Sequence, residues 1–182
     1  MGMSGLHVAI AGATGAVGAE FLRLLEKRNY PIRKLSLLAS KRSVGKTLRF
    51  RGEAIAVEEL TPDAFAGVDH AFFSAGASQS KVFAPAATAA GAVVIDNSSA
   101  FRYVDGIPLV IPEINPGDAF THKGVIANPN CTTIVALMAA GPLHRAFGLR
   151  RAVMSSYQAI SGAGAQAMAE LERQVHDWVA GR

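Results

Sequence analysis

Three observations predict an α/β fold with a mostly parallel sheet for this 182-residue chain. Apolar runs of strand length alternate with helix-length segments, the pattern of repeated βαβ units. The first of these runs leads straight into a glycine-spaced turn, "GATGAVG". Hydrophobic residues make up 50% of the chain and charged residues 18%, which is ample for a buried sheet and too little charge for a disordered chain.

"LHVAIA" (6–11) reads as the first strand. In the turn after it, Gly12, Gly15 and Gly18 recur every third residue. Strand, glycine turn and helix start together make an anion site. The backbone approaches a pyrophosphate closely there, and unpaired helix N–H groups point at it. This makes the fold Rossmann-type and doubly wound. A tight turn that merely needs glycine is the alternative. "GAEFLRLLEKR" (18–28) follows as a helix with Phe21, Leu22, Leu24 and Leu25 on one side. The second strand, "KLSLLAS" (34–40), runs into "SKRSVGK". NAD-selective folds place a carboxylate near this point, against the ribose 2′-OH. Here there is none. Ser40, Lys41, Arg42 and Ser43 suit a 2′-phosphate instead, so NADP is favoured over NAD. The alternative is a solvated loop carrying Lys41, Arg42 and Lys46.

"RSVGKTLRFRGEAIAVEEL" (42–60) reads as a hairpin or as edge strands. "HAFFSAG" (70–76), "AVVIDNS" (92–98) and "GVIA" (124–127) continue the parallel set, with "SKVFAPAATAAG" (80–91) a helix closing on Gly91. "CTTIVALMAAGPLHRAFG" (131–148) reads as a buried helix, bent or ended near Gly141-Pro142. "RAVMSSYQA" (151–159) reads as a further strand and "AGAQAMAELERQVHDWV" (163–179) as an amphipathic helix. No later strand follows to bury that helix's apolar side. It is expected to pack on a partner, or the chain to be part of something longer.

The net charge of +4 suits an anionic substrate or cofactor. No run of Lys or Arg exceeds two residues, which argues against nucleic acid. No apolar stretch reaches the ~18 residues of a membrane span, and "MGMSGLHVAI" lacks the basic start of a signal peptide. No metal ligands are assigned. The single cysteine precludes an internal disulfide and fits the cytoplasm.

That cysteine, Cys131, lies in the polar turn "ANPNCTTI", between a strand and a helix. At a helix start, the dipole and the unpaired N–H groups favour a thiolate and can hold an oxyanion. A thiol nucleophile in a nicotinamide-binding protein suggests reversible acyl transfer coupled to hydride transfer at an aldehyde. A small, semi-buried residue without a role is the plainer alternative.

Seven blocks carry a resemblance: "GATGAVG", "SKRSVGK", "FSAG", "VIDNSSAFR", "PLVIPEIN", "IANPNCTTI" and "SSYQAISGAGAQAM". In order and spacing they resemble bacterial aspartate-β-semialdehyde dehydrogenase across essentially the whole chain. The sister family, N-acetyl-γ-glutamyl-phosphate reductase, shares the glycine turn, but its cysteine segment reads more like NPGCY, which is absent here. The resemblance implies that Cys131 is the acyl-thioester nucleophile. It implies Gly12, Thr14, Gly15, Ala16 and Val17 at the cofactor pyrophosphate, and Arg42 with Ser43 at the 2′-phosphate. Ser161 and Gly162 would meet the nicotinamide side. Arg102 would grip the phosphate that leaves or attacks, Asn97 and Asn130 would shape the phosphate and thiol pockets, and Gln158 would contact substrate. The implied reaction converts aspartyl-4-phosphate and NADPH to aspartate-4-semialdehyde and phosphate, in lysine, threonine and methionine biosynthesis. The complete enzyme would be a cytoplasmic homodimer.

The resemblance further implies an NADP-binding domain over 1–130. Residues 131–182 would begin an α+β catalytic and dimerisation domain that is truncated here. The family's acid/base histidine and carboxylate-binding arginine would come later in the chain. His7, His70, His122, His144 and His176 do not replace that histidine, so the chain is expected to be inactive alone. Two other classes stay open: a truncated nucleotide-binding relative with a sensor or regulatory role, and a structural module with an incidental thiol.

Overall fold

Alternate side chains of the first strand serve opposite faces of one sheet. In β1 (Leu6–Ala11), Val8 and Ile10 join a buried cluster with Leu22 and Leu25 of α1 (Ala16–Lys27). Ala9 and Ala11 join a second cluster with Ala84 and Ala87 of α2 (Ala77–Ala89). This period of two places a helix on each face, so the sheet is wound on both sides. The small alanines let α2 pack closely. Phe65 and Phe73, stacked with centroids 5.6 Å apart, fill the space beside them.

The structure is a computed structural model and describes residues 5–182. Residues 1–4, part of the start read for a leader, lie outside the described residues. The chain divides into a unit ending at Leu149 and a unit Arg150–Arg182. The first unit holds a seven-stranded sheet of order β3-β4-β2-β1-β5-β6-β7. The other strands are β2 (Ile32–Ala39), β3 (Thr47–Phe50), β4 (Glu53–Glu59), β5 (His70–Phe73), β6 (Val93–Asp96) and β7 (Val125–Ala127). All neighbours are parallel except β3 and β4. The 42–60 segment is therefore a hairpin. Its two-residue turn, Arg51-Gly52, has φ of 50° and 84°, the left-handed pair that matches strand twist. β3 forms one edge. Beyond β7 the chain of Pro108–Val110 bonds to both the N–H and the carbonyl of Ala127.

α2 ends as the sequence suggests. Gly91 takes φ 93°, and the bonds Ala92 N–H to Ala87 O and Gly91 N–H to Thr88 O close a Schellman motif. α3 (Cys131–Phe147) does not end at Gly141-Pro142. A proline removes a single ladder bond, and the helix has turns enough on either side to continue past it. It is also not buried: Val135 is 73% and Phe147 83% exposed. It packs closely at Gly141, where a Cβ would lie 2.5 Å from Ile114 Cδ1.

The second unit holds a 3-10 turn (Ile160–Ala163) and α4 (Ala165–Val179). Residues 151–159 are not the expected strand. They have no regular secondary structure and are exposed, and no described strand pairs with their N–H and C=O groups. Apolar alternation sets a face but cannot supply a ladder partner.

Candidate active site

From β1 the chain crosses to β2 on one side, and β5 returns to pair with β1 on the other, so the strand order reverses between β1 and β5. Open α/β sheets bind ligands at such a switch point, outside the carboxyl ends of the strands. Gly12 stands there with φ 90°, and a Cβ on it would lie 2.6 Å from Ser74 O. On Gly18 a Cβ would lie 2.4 Å from Gly12 O and 2.7 Å from Ala13 Cα, so only glycine lets α1 start this close to β1. Gly15 is the N-cap and offers no side-chain cap. The first helical bond is Ala19 N–H to Gly15 O, which leaves the N–H groups of Ala16 and Val17 directed out of the helix start. Thr14, Ala16 and Val17 are exposed there. This is a backbone cradle for a phosphate, and the residues fit a dinucleotide.

Ser43 is buried under the end of β2, on a single 3-10 turn (Lys41–Ser43) that also carries the exposed Arg42. Its Oγ lies 3.4 Å from Thr14 Oγ1, so the basic turn after β2 and the glycine turn after β1 meet. A 2′-phosphate site and a pyrophosphate site need this neighbourhood.

Cys131 is the first residue of α3 and is exposed. Asn130 caps the helix, its Oδ1 accepting from Thr132 N–H at 3.0 Å and Thr133 N–H at 3.4 Å. A cap of this kind stabilises a helix by about 1 kcal/mol. It also fixes the direction in which the chain delivers Cys131. Arg102 is half-buried beside this segment. Its Nε donates to Asn128 O at 2.9 Å and its Nη2 to Asn97 O at 3.0 Å. Asn97 Oδ1 in turn accepts from Asn128 Nδ2 at 2.7 Å. Arg102, Asn97, Asn130 and Cys131 therefore share the carboxyl ends of β6 and β7.

Sequence reading assigned no role to Asp96, Ser80, Ser98 or Asn128. Asp96 is wholly buried at the end of β6. Ser80 Oγ of α2 donates to its Oδ1 and Ser98 Oγ to its Oδ2, each at 2.7 Å, and Ser98 Oγ accepts from Ala100 N–H at 3.0 Å. The only hint in the sequence is a carboxylate closing an apolar run, followed by serines. Gln158, Ser161 and Gly162 lie in the second unit. Gln158 Nε2 is 2.1 Å from where a Gly162 Cβ would stand, so the side chain folds over that glycine.

Four of the five histidines, all in the first unit, are hydrogen-bonded away from the thiol, and His176 lies in the second unit. His7 bonds Gly67 O and Ser36 Oγ, and His70 bonds Tyr30 Oη. Both sit near the amino ends of their strands, away from Cys131. His122 Nδ1 accepts from Gly124 N–H, and His144 Nδ1 from Leu149 N–H. His144 lies 13 residues along α3 from Cys131, a rise of about 20 Å. Among the described residues, no group of three or more His, Cys, Asp or Glu is placed to hold a metal, and no helix is long and apolar enough to cross a membrane.

A doubly wound sheet with a bare glycine cradle at its switch point defines a nucleotide-binding α/β protein. The chain belongs to the semialdehyde dehydrogenase family. Residues 7–122 match the family model "Semialdehyde dehydrogenase, NAD binding domain" and residues 140–182 match "Semialdehyde dehydrogenase, dimerisation domain". It is 53% identical over 179 residues to the aspartate-semialdehyde dehydrogenase of Synechocystis sp., covering 98% of this chain and 53% of that one. The aspartate semialdehyde dehydrogenase II of Vibrio cholerae, complexed with ASA, superposes with a TM-score of 0.91 at 44% identity, covering 98% of this chain and 54% of that one. The Candida albicans aspartate semialdehyde dehydrogenase with NADP gives 0.66 at 26% identity, covering 80% of this chain and 48% of that one. The chain spans about half the length of the curated relatives it matches.

Proposed function

We infer that the protein acts in reductive dephosphorylation of aspartyl-4-phosphate to aspartate-4-semialdehyde, with Cys131 as nucleophile and NADPH as reductant. The observation that carries this reading is the pinning of Arg102 to the Asn128 carbonyl, three residues before Cys131. It brings a guanidinium suited to phosphate onto the segment that delivers the thiol.

Cys131 Sγ attacks the acyl carbonyl of the substrate. Arg102 holds the phosphoryl oxygens as the C–O bond breaks, and phosphate leaves with the negative charge. The positive end of the α3 dipole favours the negative charge that develops beside Cys131. NADPH, when bound, supplies hydride to the thioester carbonyl. The thiohemiacetal then releases Cys131 as the C–S bond breaks, giving the semialdehyde. Gly12, Thr14, Gly15, Ala16 and Val17 hold the pyrophosphate, and Arg42 with Ser43 the 2′-phosphate. Asn97 and Asn130 shape the phosphate and thiol pockets. Gln158 contacts substrate, and Ser161 and Gly162 meet the nicotinamide side. The relatives' names support the substrate, and the NADP bound by the Candida albicans protein supports the cofactor. We assign 1–130 to cofactor binding and 131–182 to the start of a catalytic and dimerisation domain, in a cytoplasmic homodimer serving lysine, threonine and methionine synthesis.

The test is Cys131→Ser in the enzyme expressed from its complete coding sequence. Turnover is expected to fall by at least about 10³-fold, with NADPH binding kept. Turnover close to the parent's would refute the thioester route. A labelling assay on the parent is expected to show Cys131 alkylating faster than a small-molecule thiol at pH 7, and slower when phosphate is added.

A further inference from the structure

We propose that Asp96 is a positioning residue for the phosphate site, acting through Ser98 on the segment 97–102 that carries Arg102. This rests on the reading of Arg102 as the phosphate ligand.

The argument starts from what holds Arg102. It is anchored on two main-chain carbonyls, those of Asn97 and Asn128. The guanidinium is therefore only as well placed as those two peptide groups. Asn128 is fixed by the sheet, its N–H bonding Asp96 O at 2.8 Å. Asn97 has just left the sheet. Its N–H still bonds Phe73 O at 2.9 Å, but its carbonyl points into the loop. What fixes the chain beyond that carbonyl is the side chain of Asp96. Oδ2 accepts from Ser98 Oγ, and Ser98 Oγ accepts from Ala100 N–H. This relay folds residues 98–100 back onto the end of β6. Oδ1 accepts from Ser80 Oγ, which ties the carboxylate to α2 and stops it turning.

All three side chains are buried: Asp96 and Ser80 are fully inaccessible and Ser98 is 9% exposed. A carboxylate with each oxygen held by a hydroxyl, away from solvent, is a rigid fulcrum. Its two arms differ in what they reach. The Ser80 arm ends in α2. The Ser98 arm ends in the loop whose carbonyl holds Arg102. A purely structural role makes the two arms equivalent, whereas a positioning role separates them.

The experiment uses the enzyme from its complete coding sequence, in the direction that consumes inorganic phosphate. The variants are Ser98→Ala, Ser80→Ala, Ser98→Thr and Arg102→Ala. Ser98→Ala is expected to raise KM for phosphate about fivefold to tenfold, as for loss of one buried hydrogen bond. The Kd for NADP should stay within about twofold. Ser80→Ala is expected to lower Tm by roughly 2–4 °C with phosphate KM unchanged, and Ser98→Thr, which keeps the hydroxyl, to restore phosphate KM. Adding Ser98→Ala to Arg102→Ala should raise phosphate KM no further. Equal effects of the two serine variants on phosphate KM, or none from Ser98→Ala, would overturn the proposal. If Arg102→Ala itself leaves phosphate KM unchanged, the reading of the phosphate site fails instead, and the two failures are told apart.

Discussion

Gly18→Ala adds one methyl to the most crowded point of the nucleotide cradle. The new Cβ would stand 2.4 Å from Gly12 O and 2.7 Å from both Ala13 C and Ala13 Cα. Ordinary contacts for a Cβ begin near 3.4 Å, so relief requires a shift of about 1 Å. The neighbours are main chain on both sides, and no side chain is there to swing away. The start of α1 has to withdraw from the end of β1. Overpacking of this kind costs about 1–3 kcal/mol. Alanine's better helix propensity offsets up to about 1 kcal/mol of that. A net loss of about 1–2 kcal/mol corresponds to a Tm fall of roughly 2–8 °C for a chain this size. The withdrawal also moves the N–H groups of Ala16 and Val17, so NADP affinity should drop by about tenfold or more, in line with the loss of one hydrogen bond to a charged group. Gly15→Ala is the control. Its Cβ would meet only Gly12 O, at 3.3 Å, and Gly15 has an ordinary φ of −81°. Thermal melts and calorimetric titration with NADP read both variants. A Gly18→Ala protein with unchanged Tm and NADP affinity within twofold of the parent would refute the close-packing argument.

Three further outcomes are expected. NADP should bind more tightly than NAD by calorimetry, and Arg42→Ala should narrow the gap; equal binding of the two by the parent protein would remove the case for a 2′-phosphate site. Burial holds the His7 pKa below its ordinary 6.5, Lys34 and Arg33 push the same way, and the Gly67 carbonyl and Asp69 oppose. The folded state thus prefers neutral His7, so its contribution to stability is complete above about pH 6.5 and is lost as pH falls below that value. Urea midpoints between pH 7.5 and 5 should fall less steeply for His7→Gln than for the parent, and parallel profiles would show that His7 is not the source. The 182-residue chain by itself should bind NADP without turning over semialdehyde, since the four histidines of the unit that carries Cys131 are engaged away from it. Turnover near that of the complete enzyme would require one of them to be the base after all.

Much of the fold was legible because its signals are local. The apolar runs of β1, β5, β6 and β7 are each bounded by glycine or polar residues, and the Arg51-Gly52 turn has the chemistry of a two-residue hairpin. The glycine cradle was legible for the same reason. The misreadings concern what lies across space. Residues 151–159 have a strand's composition but no ladder partner among the described residues. The apolar α3 was expected to be buried, yet apolar content says nothing about what covers a helix. Asp96 escaped notice because Ser80, which explains its burial, is 16 residues away on α2. The Thr14–Ser43 contact likewise joins residues 29 apart. Neither pairing leaves a mark in the sequence around either partner.

The two margins of the sheet have a consequence for assembly. β3 offers an incoming strand four residues, with the exposed Thr47 and Arg49 among them. At the opposite margin, the stretch Pro108–Val110 already occupies the bonding groups of Ala127. Short, charged or covered borders are how soluble sheets avoid recruiting further strands. The sheet thus offers little backbone for growth: four residues of β3 at one margin and a covered β7 at the other. A contact that this unit makes with another protein chain then falls mostly to side chains, where shape and charge select the partner.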